Sequence, residues 1–424
     1  STKRLPTRCR FIGLETAPFL TLIDLRGKSM SVLLKGISKT ALLTFTTFML
    51  SACLPEMETS EQEEQTSFVE TGNKSLSLPS PSLDYVSYAD ADLPAHFIDG
   101  DDPVTSHDNT PNNNPITNTG ATLGRVLFYD TALSINDAVS CASCHQQDTG
   151  FTDDAILSTG FQDGLTGRHS MSLTNSRFYQ SGKFFWDERA DTLEEQVLMP
   201  IQDDVEMGMA LDTLVIKLAE TNYYPTLFND AFGDTEITSE RIAFALAQFV
   251  RAMVSYQSKY DSALSTATQD SLDANDLSHV LNTNEEAGRL LFENAPPQGG
   301  LGCAGCHGTV AQITDRTFNI GLDLNTPDDG AGNGEFKVPS LRNIAVSAPY
   351  MHDGRFETLS DVIEHYNSGV QDHPNLAQAL RHPTTDNPVR LNMSAQEKTQ
   401  LEAFLNALTD ETLNTSELFS DPFQ

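Results

Sequence analysis

Residues 141–145, Cys-Ala-Ser-Cys-His, and residues 303–307, Cys-Ala-Gly-Cys-His, repeat one motif at two distant points of the chain. In a C-x-x-C-H motif the two thiols bond covalently to the vinyl groups of a haem, and the histidine is placed to ligate the iron. A zinc site would need four thiolates that converge, usually within a short ribbon, and a thioredoxin-like pair would not need the histidine. The sequence therefore predicts two haems c, attached and ligated by Cys141, Cys144, His145, Cys303, Cys306 and His307.

Length and charge limit what surrounds these motifs. The 424 residues suffice for two core-forming domains. A net charge of −33, from 59 acidic against 26 basic side chains, repels nucleic acid and anionic bilayers. Nucleic acid is therefore excluded as a partner. A basic redox protein docking on this surface is one interpretation of the charge, and solubility alone is the other.

The N-terminal residues are typical of a targeting sequence. A basic segment begins at Met30, an apolar run follows over residues 41–50, and Leu-Ser-Ala-Cys ends at Cys53. This resembles a bacterial lipoprotein signal, in which Cys53 is lipidated. A cleaved signal or a membrane anchor is the alternative, although the run is too short to span a bilayer. We expect residues 1–53 to be upstream residues plus this signal, and the protein to be periplasmic and lipid-anchored, with Leu54 favouring the outer membrane.

Composition divides the remainder of the chain. Residues 54–114 are dominated by Ser, Thr, Glu, Asn and Pro, and predict a disordered acidic tether. Beyond it, apolar stripes with helical spacing follow capping signals at Thr238, at Ser394-x-x-Glu397 and at Thr283-x-x-Glu286. Short helices without strand alternation predict a mostly α fold. It would comprise two cytochrome c-like haem domains, over residues 115–270 and 271–424.

The order and spacing of several short motifs resemble the bacterial di-haem cytochrome c peroxidases and their MauG-type relatives. In that family the N-terminal haem reacts with peroxide and the C-terminal haem relays electrons. The resemblance therefore implies that His145 serves the reactive haem and His307 the relay haem. It covers nearly all of residues 115–410. The matching stretches are residues 123–125, 133–134, 185–187, 206–208, 339–343, 348–350 and 404–405.

The resemblance also identifies the side of the reactive haem opposite His145. Many relatives place a closing histidine after a Ser-Thr-Gly sequence, whereas here residues 158–160 are followed by Phe161. A phenyl ring cannot ligate iron, so we expect a five-coordinate haem that is open to peroxide. The alternative is that another side chain, such as His169, supplies the ligand.

The resemblance assigns three further residues to the reaction. Glu206 would move the peroxide proton and Gln196 would provide a hydrogen bond. Trp186, the only tryptophan, would lie between the haems and relay electrons. By residue type alone, Glu206 would be a solvated carboxylate and Trp186 a core side chain.

The sixth ligand of the second haem separates the subfamilies, with Met in the peroxidases and Tyr in MauG-type enzymes. Here Tyr366 takes that position, behind the capping signal Thr358-x-x-Asp361. Its rivals are Met351, His352 and His365. Many members also bind calcium through an Asn where this chain has His169, and an imidazole is a poor ligand for that ion, so calcium is disfavoured.

Three hypotheses follow. The first is a peroxidase that reduces hydrogen peroxide with electrons from a small redox protein, a c-type cytochrome or a cupredoxin, relayed through the second haem. The second is a MauG-like enzyme that uses peroxide to oxidise residues of a partner protein. The third, a non-enzymatic di-haem electron carrier, would close both haems with strong ligands and would have no use for Glu206.

Overall fold

The computed structural model describes residues 19–23, 29–33, 76, 86–89 and 91–423. The predicted lipidation site, Cys53, and its apolar run lie outside these residues, as does much of the predicted tether. Strands β1, Phe19–Ile23, and β2, Ser29–Leu33, pair antiparallel. Among the described helices, none has the length and apolar character needed to cross a membrane.

The rest of the described chain is built from short helices joined by ordered loops, and its only paired strands are β3 and β4, two residues each. The predicted mostly α character is confirmed. The helices are α1 Val86–Ala89, α2 Ala95–Ile98, α3 Asn118–Tyr129, α4 Leu193–Gln196, α5 Met199–Gln202, α6 Leu211–Ala219, α7 Tyr224–Phe232, α8 Ser239–Ala252, α9 Lys259–Thr266, α10 Gln269–Asp273, α11 Thr283–Glu293, α12 Leu359–Glu364, α13 Ala395–Asn406 and α14 Glu411–Thr415. The strands are β3 Thr317–Phe318 and β4 Phe336–Lys337, which pair antiparallel.

Three of the four predicted capping signals are confirmed. Thr358 and Asp361 form a reciprocal box at the start of α12. Thr238 accepts a hydrogen bond from the Arg241 amide at the start of α8, and Ser394 and Glu397 form a reciprocal box at the start of α13. The box predicted at Thr283 and Glu286 is wrong by one residue. Asn282 is the cap of α11, because its side-chain oxygen accepts from two amides of the first turn, whereas Glu286 pairs with Arg289.

Two hydrophobic clusters form the core, and each is built on a pair of helices that meet at a glycine. Helix α3 packs on α8, where a Cβ at Gly124 would lie 2.0 Å from the Ala245 carbonyl oxygen. Helix α11 packs on α13, where a Cβ at Gly288 would lie 1.9 Å from the Gln400 carbonyl oxygen. Only glycine allows backbones to approach so closely. The first cysteine motif packs against the first cluster and the second motif against the second. The domain boundary at residue 270 stays a prediction.

The predicted disordered tether is wrong for its last part, residues 91–114. Phe97 is completely buried, with its ring 6.1 Å from that of Phe178, and Val104 is buried beside it. The His96 ring lies 2.9 Å from the Asp261 carboxylate. The average composition of the segment is polar, so it does not reveal the few apolar side chains that pack against the rest of the protein. Burial of an aromatic ring is strongly favourable, and these side chains therefore hold the segment in place.

Candidate active site

The first cysteine motif forms a single tight turn. Residues Cys141–Ser143 make one turn of 3₁₀ helix, closed by the Ser140 amide donating to Ser143 Oγ at 3.0 Å. The His145 amide then donates to the Cys141 carbonyl at 3.0 Å, which fixes the imidazole next to both sulfurs. Both thiols are free, and burial raises the pKa of Cys141 to about 12 and that of Cys144 to about 11.

The His145 imidazole is held in a single orientation. Its Nδ1 lies 2.9 Å from the Phe151 carbonyl oxygen, so this nitrogen carries the proton and donates it. Burial lowers the imidazole pKa, which keeps the ring neutral. Nε2 is therefore the nitrogen left to ligate a metal, and a carbonyl on the opposite nitrogen is the usual partner of a metal-binding histidine. Sequence reasoning did not identify Phe151, since a backbone acceptor leaves no signal in residue type.

The second motif repeats this turn in the other cluster. Cys303–Gly305 form a 3₁₀ turn and the His307 amide donates to the Cys303 carbonyl at 3.0 Å. Burial lowers the pKa of His307 to about 4, and its Nδ1 is buried without a hydrogen-bond partner among the described residues. A cavity of about 290 Å³ lies beside the loop that follows His307.

The donor set at both motifs fits a covalently attached haem. Each offers two free, half-buried thiols and one neutral imidazole within a five-residue turn. Thioether formation needs unpaired thiols, and iron needs an unprotonated imidazole nitrogen. No group of three or more His, Cys, Asp or Glu side chains able to hold a separate metal ion occurs in the described part of the chain.

Two loops bring Phe161 and Glu206 together. The Phe161 amide donates to the Glu206 carbonyl at 3.0 Å, and the Phe161 ring covers Gly208 so closely that a Cβ there would lie 2.5 Å from the ring. Gly208 also has a φ of 62°, a conformation that glycine adopts without strain. The negative charge of Glu206 contributes to the raised pKa of Cys141 and of Cys144, in agreement with a carboxylate near the first motif.

The Glu206 carboxyl has an altered acidity. Burial, followed by the charge of Asp203, raises its pKa to about 7, and the Arg189 guanidinium offsets part of the rise. The carboxyl can therefore accept and release a proton near neutral pH, as general acid–base catalysis requires. Gln196 is half-buried at the end of α4, and the described residues show no hydrogen bond between its side chain and Glu206.

Trp186 is fixed by contacts to both halves of the protein. Its Nε1 donates to the His169 carbonyl at 2.8 Å, and its ring lies 6.4 Å from that of His352. Its carbonyl accepts from the Lys337 amide at 2.8 Å. Sequence reasoning missed Lys337, whose ammonium is fully buried and 3.2 Å from Glu188, because a single lysine carries no pattern.

Tyr366 lies beside the second motif. It belongs to a π-helical turn, His365–Gly369, that follows α12, and such turns are frequent at functional sites. Burial raises the pKa of its phenol, with further contributions from Cys306 and Cys303, which shows that these groups are neighbours.

Two of the rivals of Tyr366 are engaged elsewhere. His365 Nε2 lies 3.0 Å from the Ile320 carbonyl oxygen, and the His352 ring stacks on Phe336 at 3.6 Å. The third rival, Met351, has a positive φ of 76°.

His169 joins three segments of the chain. Its amide donates to the His352 carbonyl at 2.8 Å, and its Nδ1 lies 3.1 Å from the Ala155 carbonyl oxygen and 3.2 Å from that of Ile156. Its Nε2 is buried without a partner in the described structure. An imidazole in place of an oxygen donor does not fit a calcium ion, so we derive no step from calcium.

Comparison with known proteins agrees with this geometry. A sequence profile of the di-haem cytochrome c peroxidases matches residues 118–269. The chain is 34% identical over 312 residues to the methylamine utilization protein MauG of Methylorubrum extorquens, covering 71% of this chain and 81% of the relative. It is 33% identical over 258 residues to the cytochrome c551 peroxidase of Nitrosomonas europaea, covering 58% and 71%. The crystal structure of a MauG-like protein associated with microbial copper homeostasis is similar, with a TM-score of 0.64 and 31% identity over 74% of this chain and 96% of that one.

The fold and the two motifs define a class, the oxidoreductases that carry two haems c. Within it, the chain belongs to the di-haem cytochrome c peroxidase and MauG family. Membership makes the protein an oxidoreductase that acts on hydrogen peroxide, and the resemblance stated from the sequence is confirmed.

Proposed function

We propose that the protein reduces hydrogen peroxide at the haem of the first motif. This reaction needs no prior reduction of the haem of the second motif. The observation that supports this proposal is the contact of the Phe161 loop with the Glu206 turn, where the Phe161 amide donates to the Glu206 carbonyl and the Phe161 ring lies against Gly208. The haem, when bound through these cysteines and His145, supplies the iron at which the O–O bond is broken.

Glu206 manages the proton. In its ionised form it would take a proton from one oxygen of hydrogen peroxide and return it to the other oxygen, which leaves as water. A carboxyl with a pKa of about 7 performs both transfers at small cost near neutral pH. Gln196 supplies the orienting hydrogen bond in this proposal.

Electrons reach this site through the second half of the protein. Trp186 is the relay, because its indole contacts the His169 backbone on one side and the His352 ring on the other. At the second motif, Tyr366 would hold the haem iron together with His307. Phenolate ligation favours high oxidation states of iron and suits a site that shares an oxidising equivalent.

The cell compartment and the donor complete the proposal. A periplasmic protein anchored to the outer membrane through Cys53 would receive electrons from a small c-type cytochrome or cupredoxin. The net charge of −33 favours a donor with a basic face.

Spectroscopy of the purified ferric protein tests the proposal. Optical and electron-spin-resonance spectra are recorded before and after one equivalent of hydrogen peroxide, with no reductant. We expect one high-spin and one low-spin haem at rest and a rapid reaction. Two low-spin haems that stay inert until one is reduced would contradict the open site.

A second candidate is the oxidation of side chains on a partner protein. Phe161 and the position of Tyr366 beside Cys303 and Cys306 favour it, since both are the residues expected in MauG-type members. The test is to add peroxide to the protein with candidate periplasmic proteins and to search by mass spectrometry for oxygen insertion or cross-links. Peroxide consumption that depends only on a redox donor would favour the peroxidase.

A further inference from the structure

Exposed apolar side chains surround the Phe161–Glu206 contact. Ile135 is 53% exposed, Leu165 59% and Val205 39%. Together with the half-buried ring of Phe161 they form what we call the apolar collar. Single exposed apolar residues are ordinary on protein surfaces, but a contiguous group marks a binding surface.

Backbone hydrogen bonds bring the collar together. The Ile135 amide donates to the Met207 carbonyl at 2.9 Å, and Asn136 Nδ2 donates to the Phe161 carbonyl at 2.7 Å. The segment at 135–136 is therefore tied both to the Glu206 turn and to the Phe161 loop.

Val205 and Leu165 belong to the same surface. A Cβ at Gly164 would lie 3.2 Å from Val205 Cγ1, so the Val205 side chain lies against the residue before Leu165. Leu165 itself pairs with Thr159 across the Phe161 loop. The collar thus lies around the backbone of Glu206, while the carboxylate acts on the thiols of the first motif.

Hydrogen peroxide has no apolar part that could use such a surface. An alkyl hydroperoxide, ROOH, does, because its alkyl group gains free energy in proportion to the apolar area it removes from water. We propose that the site also reduces alkyl hydroperoxides, with the alkyl group held against Ile135, Phe161, Leu165 and Val205. This inference rests on the proposed function.

The reaction balances with the same electron supply. The O–O bond breaks, two electrons come from two equivalents of a one-electron donor, and two protons are consumed, which gives one alcohol ROH and one water. Glu206 has the same proton role as with hydrogen peroxide, and only the group left on the departing oxygen differs.

The experiment compares three peroxides on the holoprotein. Stopped-flow rate constants are measured with hydrogen, tert-butyl and cumene hydroperoxide for the natural chain and for a double variant, Leu165→Ser with Val205→Ser. Turnover is followed by cumyl alcohol formation with ferrocyanide as donor. The control is Leu272→Ser, which removes a side chain that is 48% exposed on α10.

We expect the natural chain to react with cumene hydroperoxide, and the ratio of its rate constant to that for hydrogen peroxide to fall about fivefold or more in the double variant. The control should leave the ratio unchanged, and the resting spectra of all variants should match. An unchanged ratio in the double variant, or no reaction with cumene hydroperoxide while hydrogen peroxide reacts, would overturn the inference alone. Failure of all three peroxides would overturn the proposed function too. A change of sedimentation state without a change of ratio would show instead that the collar is a protein interface.

Discussion

The two cysteine motifs have the same turn but face different side chains. In each, the histidine amide donates to the carbonyl of the first cysteine at 3.0 Å, so the thiols and the imidazole have equivalent positions. The first motif is opposed by Glu206 and Phe161, and the second has Tyr366 as its neighbour. The two motifs are therefore alike in themselves, and the side chains that distinguish their surroundings are distant from them in sequence.

The imidazoles differ in a second respect. His145 Nδ1 has a carbonyl acceptor at 2.9 Å, whereas His307 Nδ1 is buried with no partner among the described residues. A hydrogen bond to the outer nitrogen makes the imidazole a stronger donor to iron. This difference favours oxidation at the first motif, in agreement with its proposed role.

Removal of the Glu206 carboxylate, which distinguishes the first motif from the second, should have the largest effect on the peroxide rate constant. We expect Glu206→Gln to slow the reaction of the ferric protein with hydrogen peroxide by about a hundredfold or more, because the amide cannot accept the proton. Stopped-flow absorbance measures the rate constant. Glu240→Gln, which changes an exposed carboxylate on α8, is the control. If the rate constant of Glu206→Gln falls by less than about threefold, Glu206 is not the base.

Replacement of Phe161 by histidine should give the first haem a second protein ligand and so block access of peroxide to the iron. Phe161→His puts a potential iron ligand in the loop that lies against the Glu206 turn. We expect the high-spin signal at rest to disappear and the peroxide reaction to slow by roughly tenfold or more until the protein is partly reduced, since reactivity needs a free iron position. Phe161→Leu, which cannot ligate, should keep the high-spin signal. A high-spin signal retained in the histidine variant would contradict the assigned position.

The pH dependence of the peroxide rate constant should be a smaller effect, and it should reflect Glu206 at the first motif. The pKa of Glu206 is about 7, raised from its ordinary value, so the carboxylate that acts as base predominates above pH 7 and is lost below it. The rate constant should therefore rise about tenfold per unit at low pH and level off above about pH 7. The Glu206→Gln protein should show a flat profile. A natural-chain rate constant that rises as the pH falls would assign the carboxyl a different role.

Haem attachment can be predicted from the sequence because the chemistry of a haem c motif lies within five adjacent residues. The sequence predicted α8 and α13 because their caps and apolar stripes are local. It was wrong about residues 91–114, where Phe97 is buried by tertiary packing that average composition does not reveal. It gave no sign of the Phe151 carbonyl, because any residue can supply a backbone acceptor. It gave no sign of the buried Lys337, because a single lysine forms no periodic pattern.

Among these variants, Tyr366→Phe should have the smallest effect on the peroxide rate constant. It is also the most direct test of how the second motif differs from the first. Tyr366→Phe removes the phenol oxygen beside Cys303 and Cys306 but leaves the Phe161–Glu206 contact intact. We expect the low-spin signal of the second site to change to high-spin, because the oxygen ligand is lost, while the peroxide rate constant changes by less than about threefold.

Tyr350→Phe is the matched control for Tyr366→Phe, because it removes a phenol that donates to the Ile344 carbonyl in the cluster against which the second motif packs. It should leave both spin signals unchanged. If Tyr366→Phe keeps the low-spin signal and a Met351→Leu variant loses it, the ligand is the sulfur. The second site would then resemble that of the peroxidases more than that of the MauG-type enzymes. If neither variant alters the signal, a histidine ligand becomes the remaining candidate. His352 would then have to leave its stacking contact with Phe336, or His365 its contact with the Ile320 carbonyl, to reach the iron.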